Sequence, residues 1–153
     1  MGEYIEPFDK EFLKRTKKIL KHADFAKYNV TLILNCTLAL ICLPIERSNN
    51  DYKNNPAEYD RLFQSLADKL DELLVIVDEY GQTIPPKQKM KCLRNGIAHI
   101  KIEAVNGRNR IHGTIIEGTT KQNGMNYRCA FGFTKNQLTD FAVFMVDQYL
   151  KIG

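Results

Sequence analysis

The six residues from Arg94 to His99 read Arg-Asn-Gly-Ile-Ala-His and bring together three side chains suited to proton transfer and phosphate chemistry. Arginine stays protonated at every physiological pH, whereas histidine side chains titrate near neutral pH. Asn95 adds an amide that both donates and accepts hydrogen bonds. These side chains can move protons and stabilise phosphate charge without a metal ion.

The helix that carries this motif is predicted to begin at Pro85-Pro86, because proline is tolerated in the first turn of a helix. At about 100° per residue, its apolar residues fall in one narrow arc and its polar residues in the opposite arc. The apolar set is Met90, Leu93, Ile97 and Ile100, and the polar set is Lys87, Lys91, Arg94, Asn95 and His99. The pattern therefore predicts an amphipathic helix with a basic polar face.

Spacing within the polar face indicates which side chains meet. Asn95 and His99 are neighbours at positions i and i+4, so we predict that the amide holds one imidazole nitrogen and fixes its tautomer. Arg94 and His99 lie about 140° apart around the helix and need not touch within one chain. The two ionisable side chains of the motif are therefore expected at opposite edges of the polar face.

Gly96 is unusual inside this helix, because glycine costs about 1 kcal/mol relative to alanine there. A helix that keeps such a glycine often does so to let another backbone approach, and Ala98 is also small. We expect a closely packed partner here. The same helix of a second subunit and a neighbouring helix of the same bundle are both compatible with the sequence.

Positive charge is concentrated around the motif. The chain has a net charge of +4, but residues 87–110 contain seven basic residues and one acidic residue, a net +6, which leaves −2 for the remainder. The basic residues of this window are Lys87, Lys89, Lys91, Arg94, Lys101, Arg108 and Arg110. This distribution favours affinity for a polyanion near the motif.

The first half of the chain is predicted to be helical. Apolar periodicity predicts helices over residues 9–23, 26–43 and 57–80, with the second ending at Pro44 and the third at Gly81. The second helix is apolar nearly all round, which is typical of the centre of a bundle. Residues 46–56 are rich in turn formers and are predicted to be a surface loop.

After the motif the apolar pattern changes to alternation. Strands are predicted over residues 100–105, 111–117 and 127–133, with turns at Asn106-Gly107 and Asn123-Gly124, which together make a three-stranded antiparallel meander. Thr134 is the predicted N-cap of a last helix that ends near Leu150. The predicted fold class is therefore mainly α, a bundle of about five helices with a small β-meander before the last helix.

A chain of 153 residues fits one domain, and we assign residues 1–153 to it. Cys36, Cys42, Cys92 and Cys129 show no paired spacing and are interpreted as buried, reduced thiols. The N-terminus does not resemble a secretory signal, and the longest apolar run, Val30–Leu43, is shorter than a membrane span. These features predict a cytoplasmic protein.

With these elements in place, the chain resembles the HEPN superfamily, whose members are mostly helical and carry a motif of arginine, a polar residue, a short spacer and histidine. Arg94, Asn95 and His99 match those positions. The resemblance covers residues 9–99 and 134–150, but not the meander. One branch of the superfamily pairs with nucleotidyltransferases and has a tyrosine two positions after the histidine, where this chain has Lys101. The lysine at this position argues against control by a paired nucleotidyltransferase.

The resemblance implies metal-independent RNA cleavage by a homodimer that brings two motifs together, in a toxin or antiviral defence system. Arg94 and His99 would be the catalytic pair, with Asn95 beside them and no cofactor. The 2′-hydroxyl of RNA would attack the adjacent phosphate, with one His99 as base, the other as acid, and Arg94 holding the phosphate. The basic candidates for contacts to the RNA backbone are Lys87, Lys91, Lys101, Arg108 and Arg110.

Several alternatives remain compatible with the sequence. The domain would be a non-catalytic module if it held a nucleotide or a protein partner, such as an antitoxin, or a structural module if it used only its helical surface. His99 would then be a cation at a helix C-terminus, and Arg94 a surface ion-pair partner. Cys92, His99, His112 and Cys129 match no zinc-finger spacing, so no metal site is predicted.

Overall fold

The computed structural model of the chain describes residues 5–22, 30–99, 101–107 and 110–152. Within them lie five α-helices and one four-stranded antiparallel sheet. In chain order the elements are α1 (Ile5–His22), α2 (Val30–Asp51), α3 (Pro56–Glu72), β1 (Ile76–Asp78), α4 (Pro86–Ala98), β2 (Ile102–Gly107), β3 (Arg110–Gln122), β4 (Met125–Thr134) and α5 (Lys135–Tyr149). The predicted fold class is confirmed, with one strand more than the sequence indicates.

Helix α2 runs past Pro44, where the sequence predicts its end. An internal proline lacks an N–H donor and costs about 3 kcal/mol. Burial in the next turn offsets this cost, because Ile45 is 1% exposed and Ser48 is fully buried. The predicted surface loop over residues 46–56 is therefore wrong: the chain stays helical to Asp51, and a short 3₁₀ turn follows at Tyr52–Asn54.

The apolar run Val30–Leu43 lies inside α2, and the side chains described there include three that are fully buried: Thr37, Leu40 and Ile41. These residues face the protein core, as an all-round apolar helix predicts. Across the part of the chain that the structure describes, none of the helices combines the length and apolar character needed to cross a membrane.

Helix α3 ends at Glu72, so its predicted extension to Tyr80 is wrong. Leu74 has a positive φ of 59°, which breaks the helix, and the β-branched residues Val75–Val77 fit a strand better. Most of this run forms β1, which pairs with β4. Gly81, the predicted helix stop, instead lies in the turn after β1 with a φ of 76°.

The sheet has the strand order β1-β4-β3-β2. Asn123-Gly124 joins β3 to β4, with φ of 50° and 79°, and Gln122 pairs with Met125 on either side. A two-residue loop with positive φ at both positions is a type I′ turn, so this predicted hairpin is confirmed. The other predicted turn is wrong, because Asn106-Gly107 belongs to β2 and its glycine pairs with Arg110.

Helix α5 follows β4 directly and completes the core. Thr134 caps it as predicted: its hydroxyl accepts from the Gln137 N–H at 3.1 Å, and the Gln137 side chain accepts from the Thr134 N–H at 2.9 Å. The rings of Phe133 and Phe141 are both buried, with centroids 5.7 Å apart, and this contact joins β4 to α5. The sheet and helices are thus packed as one layer on another.

Candidate active site

Helix α4 packs directly on strand β3, and two glycines allow this approach. A Cβ on Gly96 would lie 2.6 Å from the carbonyl oxygen of Glu117, and a Cβ on Gly118 would overlap the carbonyl oxygen of Cys92. The predicted close approach of a backbone to Gly96 is therefore confirmed. Its partner is β3 of the same chain, however, and not a second subunit or a neighbouring helix. This contact fixes the C-terminal end of α4 on the sheet.

His99 follows the last residue of α4 and caps the helix, and its side chain is exposed. It lines a cleft of about 260 Å³ where the end of α4 meets β3 and β4. The residues that line this cleft are Asn95, His99, Lys101, Glu117, Gly118, Thr119 and Arg128. The cleft, called the His99 cleft below, combines an imidazole, a carboxylate and two cationic side chains.

Asn95 ties α4 to the sheet and does not hold the imidazole of His99. Its Nδ2 donates to the carbonyl oxygen of Thr119 at 2.8 Å, and its Oδ1 accepts from Nη1 of Arg94 at 3.1 Å. The predicted hydrogen bond between Asn95 and His99 is therefore wrong. The physical reason is that β3 presents a main-chain acceptor to the amide, a contact that the helix alone does not reveal.

Arg94 faces helix α2 and is not one of the residues that line the His99 cleft. Its Nη2 lies 3.3 Å from Oε1 of Glu46, and its side chain is 31% exposed. Burial raises the pKa of the nearby Cys42 thiol, which the guanidinium of Arg94 opposes through charge and a hydrogen bond. The Nε of Arg94 is buried and has no partner among the described residues. The motif cation is thus held between α2 and α4.

Three side chains in and beside the cleft were not predicted as site residues. Tyr80 donates from its hydroxyl to Oε1 of Glu117 at 2.7 Å, and Arg128 donates from Nε to the same oxygen. The guanidinium of Arg128 also lies over the Tyr80 ring, 4.1 Å from its centroid. Part of this arrangement could have been predicted from the sequence, because the Asn123-Gly124 turn sets the register of the hairpin. That register pairs Thr119 with Arg128 and places Glu117 diagonally across from Arg128.

The predicted RNA-contact residues separate into three groups. Lys101 lies between α4 and β2, is exposed and lines the His99 cleft. Lys87 lies in the first turn of α4 and Lys91 near the middle of this helix. The Lys87 ammonium is 3.3 Å from the centroid of the Tyr52 ring, so this lysine already has an intramolecular contact. Burial, and then the charge of Lys91, lowers the pKa of Lys87. Arg108 and the side chain of Arg110 lie outside the described residues.

The thiols of Cys92 and Cys129 are expected to resist alkylation in the folded protein. Both residues are 0% exposed, and burial raises the pKa of Cys92 to about 11 and that of Cys129 to about 12. Only the thiolate reacts, so iodoacetamide at about pH 8 should leave both unmodified by mass spectrometry, whereas all four cysteines should react in denaturant. Cys36 and Cys42 are only partly buried, so the interpretation of these two as buried thiols is wrong. Equal modification of Cys92 in native and unfolded protein would contradict this burial.

The same two thiols make the folded state sensitive to alkaline pH. Their folded pKa values exceed the ordinary value of 9.0, so the folded state binds these protons more tightly than the unfolded chain does. Their contribution to the free energy of unfolding is therefore complete below pH 9.0 and is lost as the pH rises through about 11 and about 12.

The whole chain, residues 1–153, matches the family model described as HEPN pEK499 p136. The protein therefore belongs to this HEPN family, in agreement with the resemblance found in the Arg94–His99 motif. Searches of curated proteins and of solved structures found no match to the chain. HEPN domains commonly bind RNA and dimerise, and many are ribonucleases, so membership supports an RNA-related role.

Proposed function

We propose that this chain is a metal-independent endoribonuclease in which residues 1–153 act as one HEPN-like domain. The observation that carries the proposal is the position of His99, which ends the motif helix and faces an open cleft with two cations. An exposed imidazole in such a place can exchange a proton with RNA, and nearby cations stabilise the phosphate. The protein would act in the cytoplasm as a toxin or phage-defence effector, regulated by a partner such as an antitoxin.

Arg94 would stabilise the phosphate while His99 transfers protons. Asn95 lies between them and bonds Arg94 on one side and β3 on the other, which holds this part of the motif in place. Because Arg94 does not line the His99 cleft of its own chain, a homodimer would bring the Arg94 of one protomer toward the cleft of its partner. Lys101 would hold the RNA backbone at the cleft, and binding would weaken with salt.

A non-catalytic HEPN module that binds a nucleotide or a protein is the second candidate. It is favoured by the ion pair between Arg94 and Glu46 and by the hydrogen bond from Arg94 to Asn95, because a guanidinium engaged in this way has a structural role without any substrate. In that case the motif would stabilise the contact between α2 and α4.

An assay with RNA in EDTA distinguishes the two functions. The purified protein is incubated with total cellular RNA beside the variants Arg94→Ala and His99→Ala, with thermal unfolding measured for each. If the protein is an endoribonuclease, the wild type cleaves the RNA, and both variants lose cleavage while remaining folded. Absence of cleavage by the wild type, together with retained RNA or nucleotide binding, would support the non-catalytic module.

A further inference from the structure

The His99 cleft holds a carboxylate whose second oxygen is available. Oε1 of Glu117 accepts hydrogen bonds from the Tyr80 hydroxyl and from Nε of Arg128. Within the described part of the chain, no hydrogen bond or ion pair is made to Oε2. The side chain is 36% exposed and lines the same cleft as His99. Glu117 therefore lines the cleft with a carboxylate whose Oε2 is not bonded by any residue that the structure describes.

The backbone around Glu117 is hydrogen-bonded to the segment that follows α4. Its N–H donates to the carbonyl oxygen of Lys101 at 3.0 Å, and the N–H of Lys101 donates to the carbonyl oxygen of Gly96 at 2.8 Å. Hydrogen bonds thus run from the end of α4 through Lys101 to β3. Beside them, the space that a side chain of Gly118 would need is filled by the carbonyl group of Cys92, so α4 and β3 touch at this point. His99 and Glu117 are consequently carried by backbone segments that main-chain hydrogen bonds connect.

The charges around Glu117 keep it ionised. The hydrogen bond from Arg128 lowers the pKa of this carboxyl below its usual range, and the hydrogen bond from Tyr80 lowers it further, with a smaller contribution from the charge of Lys101. These groups come from β4, from the segment after β1 and from the segment before β2. This carboxylate is therefore ionised at neutral pH and able to take a proton, but its lowered pKa makes it a weaker base than a group that titrates near neutral pH.

We propose that Glu117 is the general base of RNA cleavage and that it acts together with His99 of the same chain as the general acid. Oε2 of Glu117 takes the proton of the 2′-hydroxyl, the 2′ oxygen forms a bond to the adjacent phosphorus, and the bond from phosphorus to the 5′ oxygen breaks. His99 gives its proton to that leaving oxygen. The products are a 2′,3′-cyclic phosphate and a 5′-hydroxyl, and the substrate must be RNA because deoxyribose lacks the nucleophile.

This inference rests on the proposed ribonuclease function and deepens it. Both proton-transfer groups come from one cleft, whereas the resemblance to the superfamily implies one histidine from each protomer. The partner would then supply Arg94 to the phosphate and no histidine. The requirement for a carboxylate makes the two schemes experimentally distinct.

The first test compares Glu117→Gln with Glu103→Gln in the full chain, on an RNA oligonucleotide in EDTA. Glutamine keeps the size of the side chain but cannot accept the proton, so cleavage by Glu117→Gln should fall by about 100-fold or more. RNA binding and the thermal unfolding midpoint should stay close to wild type. Glu103→Gln, an exposed carboxylate on β2 outside the cleft, should cleave at the wild-type rate. Glu117→Asp keeps the charge and should retain measurable cleavage.

The second test assigns the base and the acid separately. An RNA whose leaving 5′ oxygen is replaced by sulfur does not need an acid, because a thiolate leaves without a proton. On this substrate His99→Ala should recover to within about tenfold of wild type, whereas Glu117→Gln should remain about 100-fold slower. Recovery of Glu117→Gln, or failure of His99→Ala to recover, would overturn the assignment.

The outcomes separate this inference from the function on which it rests. If Glu117→Gln cleaves natural RNA at the wild-type rate while His99→Ala is inactive, Glu117 is not the base and the ribonuclease function stands. If Glu117→Gln loses RNA binding in parallel with cleavage, its role is substrate binding and the assignment is likewise overturned. If wild-type protein cleaves no RNA, both the inference and the proposed function fail.

Discussion

Gly118→Ala is expected to lower the free energy of unfolding by about 3 kcal/mol or more, the upper part of the range for overpacked sites. The added Cβ would overlap the carbonyl oxygen of Cys92 and would lie 2.7 Å from the backbone nitrogen of Gly96. Both obstacles are main chain of α4, so no side-chain rotation relieves them. For a chain of this size, the midpoint of thermal unfolding should fall by about 6 to 12 °C, measured by circular dichroism.

A glycine of the neighbouring strand supplies the control for this experiment. A Cβ on Gly132 would lie 3.6 Å from the Cβ of Ile76, an ordinary van der Waals distance, and the residue is only partly buried. Gly132→Ala should therefore change the midpoint by a few degrees at most. Equal midpoints for the two variants would show that α4 does not pack on β3 as closely as described.

His99→Ala is expected to reduce RNA cleavage by about 100-fold to 10,000-fold, the usual contribution of a general acid or base. Arg94→Ala is expected to reduce it by about 100-fold or more, because a cation that stabilises developing phosphate charge is lost. The two variants should differ in stability. Arg94 has an ion pair with Glu46 and a hydrogen bond to Asn95, whereas His99 is exposed, so only Arg94→Ala should lower the unfolding midpoint.

Single-turnover rates, measured on one RNA oligonucleotide in EDTA, provide the comparison. Arg61→Ala removes an exposed arginine from α3, away from the cleft, and should leave the rate unchanged, which controls for a general loss of positive charge. Arg94→Lys keeps the positive charge but cannot form the bidentate hydrogen bonds of a guanidinium, so it should retain only part of the wild-type activity. Full activity in His99→Ala would remove the catalytic role of this residue.

Elements with strong local signals could be predicted from the sequence. Pro85-Pro86 begins α4, Thr134 caps α5, and Asn123-Gly124 closes the hairpin between β3 and β4. In each case a residue at one position satisfies a backbone requirement that does not depend on the rest of the fold. The Arg94–His99 motif could also be recognised from the sequence, because its residues lie close together in the chain.

Other features depend on contacts between distant segments and could not be predicted locally. Pro44 is tolerated inside α2 because the following turn is buried, and Val75–Val77 forms a strand because β4 offers an edge for pairing. Asn95 bonds Thr119 for a similar reason, as β3 lies against α4. Helical periodicity alone gives no information on such partners, so the predicted ends of α2 and α3 and the predicted partner of Asn95 were wrong.

Glu117 shows how the candidate site extends beyond the motif. It lies far from His99 in sequence and has no composition signal of its own, yet both line one cleft. The hairpin register would have placed it near Arg128, but not near the end of α4. That juxtaposition depends on Gly96 and Gly118, which allow the helix and strand to touch.

The chemical identity of the cleaved RNA ends tests the central claim most directly. The protein is incubated in EDTA with a defined RNA oligonucleotide, and the products are identified by mass spectrometry. Attack by the 2′-hydroxyl predicts a 2′,3′-cyclic phosphate on one product and a 5′-hydroxyl on the other, both formed at least about 100-fold more slowly by His99→Ala. Products with a 3′-hydroxyl and a 5′-phosphate, or no cleavage at all by the wild-type protein, would contradict it.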